Sequence, residues 1–190
     1  FTIESLSEII DEGAVVRRVQ FGNEFNHGMS GETDWTKRRQ LMQAGSQAVR
    51  EMARESGQDI RIAVHFTDVS DKKGMLAIAQ KLLDKEIDYD IFAVSYYPFW
   101  HGSLENLTEV LREISTEYGK QVIVAETSYP YTAGDGDGFA NSIGEFDVAP
   151  EYAVSVQGQT NEIRDVCAAV ADVGEAGLGV FYWEPAWIPV

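Results

Sequence analysis

IFAVSYYPFWHG, residues 91–102, begins as an unbroken apolar run and then turns into a loop crowded with aromatic rings and punctuated by Pro98 and Gly102. An apolar run without alternation predicts a strand buried on both faces, Ile91 to Ser95, with polar and stacking groups gathered at its carboxyl end. VIVA at 122–125 and GVFYW at 179–183 read the same way, and Val19–Gly22 and Ile60–Phe66 supply two more strands. Helices are predicted before them. Phe1–Glu12 carries Ile3, Leu6 and Ile10 on one face, and Trp35–Ser56 turns Leu41, Ala48 and Met52 inward and closes near Gly57. Lys73–Lys85 runs through Leu76, Ala79 and Leu83, Ser103–Tyr118 repeats Leu104, Leu107, Leu111 and Ile114 before stopping at Gly119, and a last helix ends near Asp172.

Helix then strand, five times over, argues an all-parallel α/β sheet, either open and doubly wound or closed as a barrel. Position separates the two. Asn23 and Glu24, His65, Ser95 to His101, Glu126, and Trp183 with Glu184 all stand at carboxyl ends of predicted strands. In a barrel those ends converge on one mouth, whereas an open sheet focuses its ligand at a single switch point. The distribution favours the C-terminal five-strand portion of a (β/α)8 TIM barrel. Five strands do not close a ring, so residues 1–190 read as one incomplete catalytic barrel domain lacking the first three strands.

Fifteen Lys plus Arg against 31 Asp plus Glu give a net charge of -16, which repels nucleic-acid phosphates and anionic membrane surfaces and leaves neutral or cationic ligands favoured. No stretch approaches the roughly 20 apolar residues that span a bilayer. The single cysteine, Cys167, forms no internal disulfide, and its spacing from Ile163 and Val170 predicts a buried structural thiol.

Glu24 and Glu126 each follow an apolar run directly, Asn23 standing before the first and Thr127 and Tyr129 after the second. Strand ends are where burial raises one carboxyl pKa while hydrogen bonds keep a partner ionised, the pairing that acid/base chemistry on a glycosidic bond requires. A gap of about 5–5.5 Å between them implies a nucleophile and a covalent intermediate, and about 6.5–9.5 Å implies inversion. Tyr96, Tyr97, Trp100 and Trp183 are candidates to stack on the apolar faces of sugar rings, with His101 beside them, while Phe92 and Phe181 read as core. His65 binds a sugar hydroxyl, holds a catalytic Glu, or is a core histidine with its hydrogen bonds satisfied. Zinc, nucleotide and serine-nucleophile motifs are absent. DGDGFAN at 135–141 spaces Asp135, Asp137 and Asn141 as a hard-cation loop does, although the twelfth position from Asp135 is Phe146 rather than an acid.

VQFGNEFNHGM, DIFAVSYYPFWHGSL, YGKQVIVAETSYPYT, QGQTNEIRDV and GLGVFYWEPAWIPV, in that order, resemble glycoside hydrolase family 53, the arabinogalactan endo-β-1,4-galactanases, over nearly the whole chain. The resemblance implies a secreted retaining enzyme acting on the galactan side chains of pectin. It implies that Glu24 of GNE is the general acid/base after the fourth strand, Glu126 of VAET the nucleophile after the seventh, and Trp183 the floor of the sugar site. It also implies a calcium loop through Asp135, Asp137 and Asn141. Phe139 stands where a histidine is expected: a backbone-carbonyl ligand there keeps the site and an imidazole ligand loses it. Two other readings stay open, a barrel enzyme acting on xylan or mannan, and a carbohydrate-binding fragment without turnover.

Overall fold

The computed structural model describes residues 1–136, 138, 141, 143, 147 and 149–183. Its elements are α1 (Thr2–Asp11), β1 (Arg18–Gln20), α2 (Trp35–Ser56), β2 (Arg61–Phe66), α3 (Lys72–Asp84), β3 (Ile91–Ser95), α4 (Pro98–His101), α5 (Leu104–Tyr118), β4 (Gln121–Thr127), α6 (Val156–Ala171) and β5 (Gly177–Tyr182). The strands form one parallel sheet in the order β1-β2-β3-β4-β5. That is the part-barrel expected from the sequence, with helices on one side. One element went unforeseen: α4, a single turn begun by Pro98 inside the aromatic segment.

Local chemistry sets the helix ends. The Asp34 side chain accepts from the N–H groups of Thr36 and Lys37, Asp71 from Gly74, Ser103 from Asn106 and Ser155 from Gly158, each satisfying amides that a first turn leaves open. Gly57 and Gly119 close α2 and α5 in the left-handed conformation.

The sheet has two chemically different faces. Ile62, Val64, Phe66, Phe92, Val94, Val122 and Val124 point to the helices and join the main core with Met42, Val49, Leu107, Leu111 and Val166. Burying each large side chain of this kind is worth about 1.5–3 kcal/mol. The other face is narrow and lined by Ala63, Ile91, Ala93 and Ile123, with Ala125 and Leu178 against them, the close-packed interior of a barrel wall.

Four expectations are corrected. The buried stripe of α2 runs through Arg38, Met42, Ser46, Val49 and Met52, leaving Leu41 exposed. On α3 it runs through Met75, Ala79 and Leu82 and leaves Leu83 exposed. Both helices are rotated by about one residue from the reading of the largest aliphatics, because the sheet admits Met, Ala and Ser where it approaches closely. Cys167 is exposed, since Val166, Ala169 and Val170 form the inward stripe of α6. Phe92 is fully buried as expected, but Phe181 is 55% exposed, β5 having no further strand beside it among the described residues.

Candidate active site

Alternation along the strands carries Gln20, His65 and Ser95 onto the barrel-interior face, one or two positions after residues that face the helices. β4 needs one more device. Val94 pairs with Val124, but Ser95 pairs with Glu126, so Ala125 is an extra residue in a β-bulge. Bulges re-aim side chains beside functional sites. Here Ala125 packs on the inner face, Glu126 reaches the His65 and Tyr97 side chains at the mouth, and Thr127 turns back to the helix layer to meet Glu162.

Glu24 arrives differently. β1 is only three residues long, and the chain beyond it turns sharply: Gly22 has φ 82° and Glu24 itself φ 43°. A Cβ on Gly22 would sit 2.0 Å from the Phe25 ring, so glycine is required there. A glutamate in the left-handed region is uncommon and costs about 1–3 kcal/mol unless its surroundings hold it. They do. Ser95 Oγ donates to Glu24 Oε1 at 2.6 Å, and behind the turn the buried Arg38 guanidinium donates to the Phe25 carbonyl. Its Cζ lies 3.9 Å over the Trp35 ring.

Between the two carboxylates sits His65, fully buried, its Nε2 2.9 Å from Ser95 Oγ and its Nδ1 3.1 Å from Gln20 Nε2 and 3.0 Å from Asn23 Oδ1. Ser95 has one proton and gives it to Glu24, so its oxygen accepts from His65 Nε2–H. Nδ1 is then bare and accepts from the Gln20 amide. A half-turn of the Asn23 amide, whose O and N are equivalent in shape, makes it a donor there too. Burial pushes His65 down to about 4, against the attraction of Glu24, so the ring is neutral at ordinary pH. Its 3.9 Å approach to Glu126 Oε1 is therefore a dipolar contact rather than an ion pair. One oxygen each of Glu24 and Glu126 and one His65 nitrogen lie within 4.8 Å of one another. Tyr97 donates its phenol to Glu126 Oε2 at 3.3 Å. Glu126 is buried and Glu24 half-buried.

Other expected contacts fall into two groups. Trp100 and Trp183 are 48% and 47% exposed, as a stacking surface requires, and Trp100 Nε1 donates to Asp147 Oδ1 at 3.2 Å. Asn23 is exposed at the mouth. Tyr96 and His101 are corrected. Because Ser95 faces inward, Tyr96 faces the helices, where it is buried and its phenol donates to the Gly102 carbonyl at 2.8 Å. His101 is spent on its own turn: Nδ1 accepts from Tyr97 N–H at 3.0 Å, and Nε2 faces Thr67 Oγ1 at 3.4 Å. Both His65 nitrogens have hydrogen-bond partners within the site. Gln20 and Arg38 are the functional residues that the sequence reading misses. The available signal was a polar residue closing or interrupting an apolar strand. Of the cation loop, Asp135 Oδ1 accepts from Gly138 N–H at 2.9 Å, and Asn141 is exposed. Asp137, Phe139 and Phe146 lie outside the described residues, as does Glu184.

A family model described as glycosyl hydrolase family 53 matches residues 1–190. The chain is 53% identical over 190 residues to an endo-β-1,4-galactanase of Bacillus subtilis (strain 168), covering 100% of this chain and 43% of that protein. It is 31% identical over 200 residues to an arabinogalactan endo-β-1,4-galactanase of Cellvibrio japonicus (strain Ueda107), covering 99% of this chain and 51% of the relative. Among solved structures, the Ignisphaera aggregans GH53 catalytic domain superposes with a TM-score of 0.91 at 32% identity, over 100% of this chain and 53% of that one. The chain thus spans about half the length of the curated relatives it matches. A GH10 xylanase at 10% identity and TM-score 0.58 shares the fold alone.

Proposed function

The chain belongs to glycosyl hydrolase family 53, and on that premise we propose that it forms the catalytic part of a retaining endo-β-1,4-galactanase, with Glu126 as nucleophile and Glu24 as general acid/base. The observation that carries this reading is the approach of the two carboxylates, an oxygen of each lying within 4.8 Å of the other. Such an approach lies on the side of direct attack, the separation that accommodates the water of inversion being about 6.5–9.5 Å.

In the first step a Glu126 oxygen attacks the anomeric carbon as the bond from that carbon to the glycosidic oxygen breaks. The departing oxygen keeps the electron pair and takes the proton of Glu24. In the second step water gives a proton to the Glu24 carboxylate, its oxygen bonds to the anomeric carbon, and the ester electron pair returns to Glu126. The neutral His65, fixed between Gln20 and Ser95, keeps Ser95 Oγ–H directed at Glu24. Tyr97 orients Glu126 through Oε2. The exposed rings of Trp100 and Trp183 supply faces for sugar stacking.

The test is reducing-end release from β-1,4-galactan against xylan and mannan, with proton NMR of the first-formed anomer. Galactan-selective release of the β-anomer is expected. The α-anomer refutes retention, release from xylan or mannan alone refutes the substrate, and binding without release supports a non-catalytic carbohydrate-binding fragment.

Three further barrel strands are inferred to precede β1 in the working enzyme, in keeping with the share of its relatives that this chain spans. Secretion follows from the substrate, since a cell-wall polysaccharide is met outside the cell. For the loop at 135–141 we infer a structural calcium ion held by Asp135, Asp137 and Asn141. The alternate spacing of oxygen side chains and the curl of Asp135 onto Gly138 support it. A melting temperature lowered by chelator and restored by calcium is the expected result.

A further inference from the structure

On the reverse face of β4 lies a carboxyl group that the proposed reaction does not use. Glu162 of α6 is completely buried. Its Oε1 accepts from Thr127 Oγ1 at 3.0 Å, and among the described residues its Oε2 has no hydrogen-bond partner. Thr127 is the residue after Glu126, and the bulge that turns Glu126 to the mouth turns Thr127 to the helices. The backbone here is already tied on both sides: Tyr96 N–H donates to the Glu126 carbonyl at 2.8 Å, and Trp183 N–H to the Thr127 carbonyl at 2.8 Å. The remaining freedom is rotation of the strand end about its own axis. A side chain pinned on the opposite face removes it.

We propose that Glu162 is a positioning residue for Glu126: it anchors Thr127 on the helix side of β4 and thereby fixes the direction of the Glu126 carboxylate. This rests on the reading of Glu126 as the nucleophile.

The surroundings of Glu162 favour its protonated form. Burial lifts Glu162 to about 7, the Thr127 hydrogen bond opposing and the Asp165 carboxylate one turn on adding to the shift. From the other elements it is faced by phenols: Tyr96 after β3, Tyr129 after β4, Tyr152 before α6 and Tyr182 of β5. Glu151 bears on three of these tyrosines, and the Tyr152 phenol is itself given to Asp165 at 3.2 Å. Ionising Glu162 in this ring would place a charge with one open oxygen beside another carboxylate, an expensive arrangement.

The experiment is the rate of covalent labelling of Glu126 by an activated 2-deoxy-2-fluoro-β-galactobioside, measured in the natural polypeptide that carries these residues, together with kcat and KM. Glu162→Leu is expected to slow labelling and kcat by about tenfold or more, as small misplacements of reacting groups do, with KM nearly unchanged. Glu162→Gln, neutral and still able to accept from Thr127, should restore both to within about threefold. Thr127→Val should match the Leu variant and serves in its place should that variant fail to fold. Labelling at the wild-type rate in Thr127→Val, or equal losses in the Leu and Gln variants, overturns the inference. Failure of the wild type to label Glu126 instead brings down the nucleophile assignment on which it depends.

Discussion

The mouth of the barrel is built by two strand ends of opposite construction. β4 is seven residues long and delivers Glu126 buried, its carbonyl accepting from Tyr96 N–H and the carbonyl of the next residue, Thr127, from Trp183 N–H. β1 is three residues long and delivers Glu24 half-buried on a left-handed turn. That turn is held from outside, by Ser95 and His65 in front and Arg38 behind. A carboxylate that must attack one carbon gains from a rigid strand. One that must exchange protons with both a leaving group and water gains from a looser, wetter seat whose hydrogen bonds come from side chains.

The sharpest way to break that contrast is to remove each carboxylate. Glu126→Gln should lower kcat on galactan by about 10⁴-fold or more, as loss of a nucleophile does. Glu24→Gln should cost about 10²–10⁴-fold on galactan. The second loss should shrink on a dinitrophenyl galactobioside, whose leaving group needs no proton, while the first should not. Equal responses on both substrates would erase the proposed division of labour.

Next comes the borrowed support of Glu24. His65→Leu leaves Ser95 free to turn and should cost up to about 10²-fold in kcat. Tyr97→Phe, which takes one hydrogen bond from an otherwise well-tied Glu126, should cost about tenfold. If Tyr97→Phe is the worse of the two, Glu126 is the less rigid end.

Stability against pH separates the same regions. His65 sits near 4 in the fold against 6.5 outside it. Its contribution is therefore full above pH 6.5 and is lost as pH falls through 4, about 3 kcal/mol in all. Glu162 sits near 7 against 4.5. Its contribution is full below pH 4.5 and is lost as pH rises through 7, by a similar amount of about 3 kcal/mol. Melting curves should show the acid limb flattened by His65→Gln and the alkaline limb by Glu162→Gln, each leaving the other limb in place. The smallest effect belongs to Arg38→Met, which strands the Phe25 carbonyl and should lower stability by about 1–3 kcal/mol without touching the Glu126 labelling rate.

How much of this was legible follows from the same contrast. The strands could be read because a sheet buried on both faces demands unbroken apolar runs, and both glutamates could be read because they end such runs. The bulge at Ala125 could not, since nothing in VIVAET distinguishes a bulged strand from a regular one. Without it, simple alternation from Val124 would point Glu126 at the helices. Tyr96 was misassigned because its facing depends on Ser95, whose inward turn is visible only in the register. His101 was misassigned because the α4 turn that consumes its nitrogens is one turn long, too short to show a period. Glu162 and Arg38 act from helices far away in sequence, and charged residues on a helix read as solvent-facing until the fold buries them.

Two carboxylates with an oxygen of each within 4.8 Å of the other, working from opposite faces of the sugar as proposed, leave different products when one or the other is removed. Glu126→Ala and Glu24→Ala, each assayed with the dinitrophenyl galactobioside and azide, should yield glycosyl azides of opposite configuration. The α-azide is expected from Glu126→Ala, where azide enters from the vacated face, and the β-azide from Glu24→Ala, where it displaces Glu126 from the covalent intermediate. The same anomer from both, or the two reversed, would contradict the assignment.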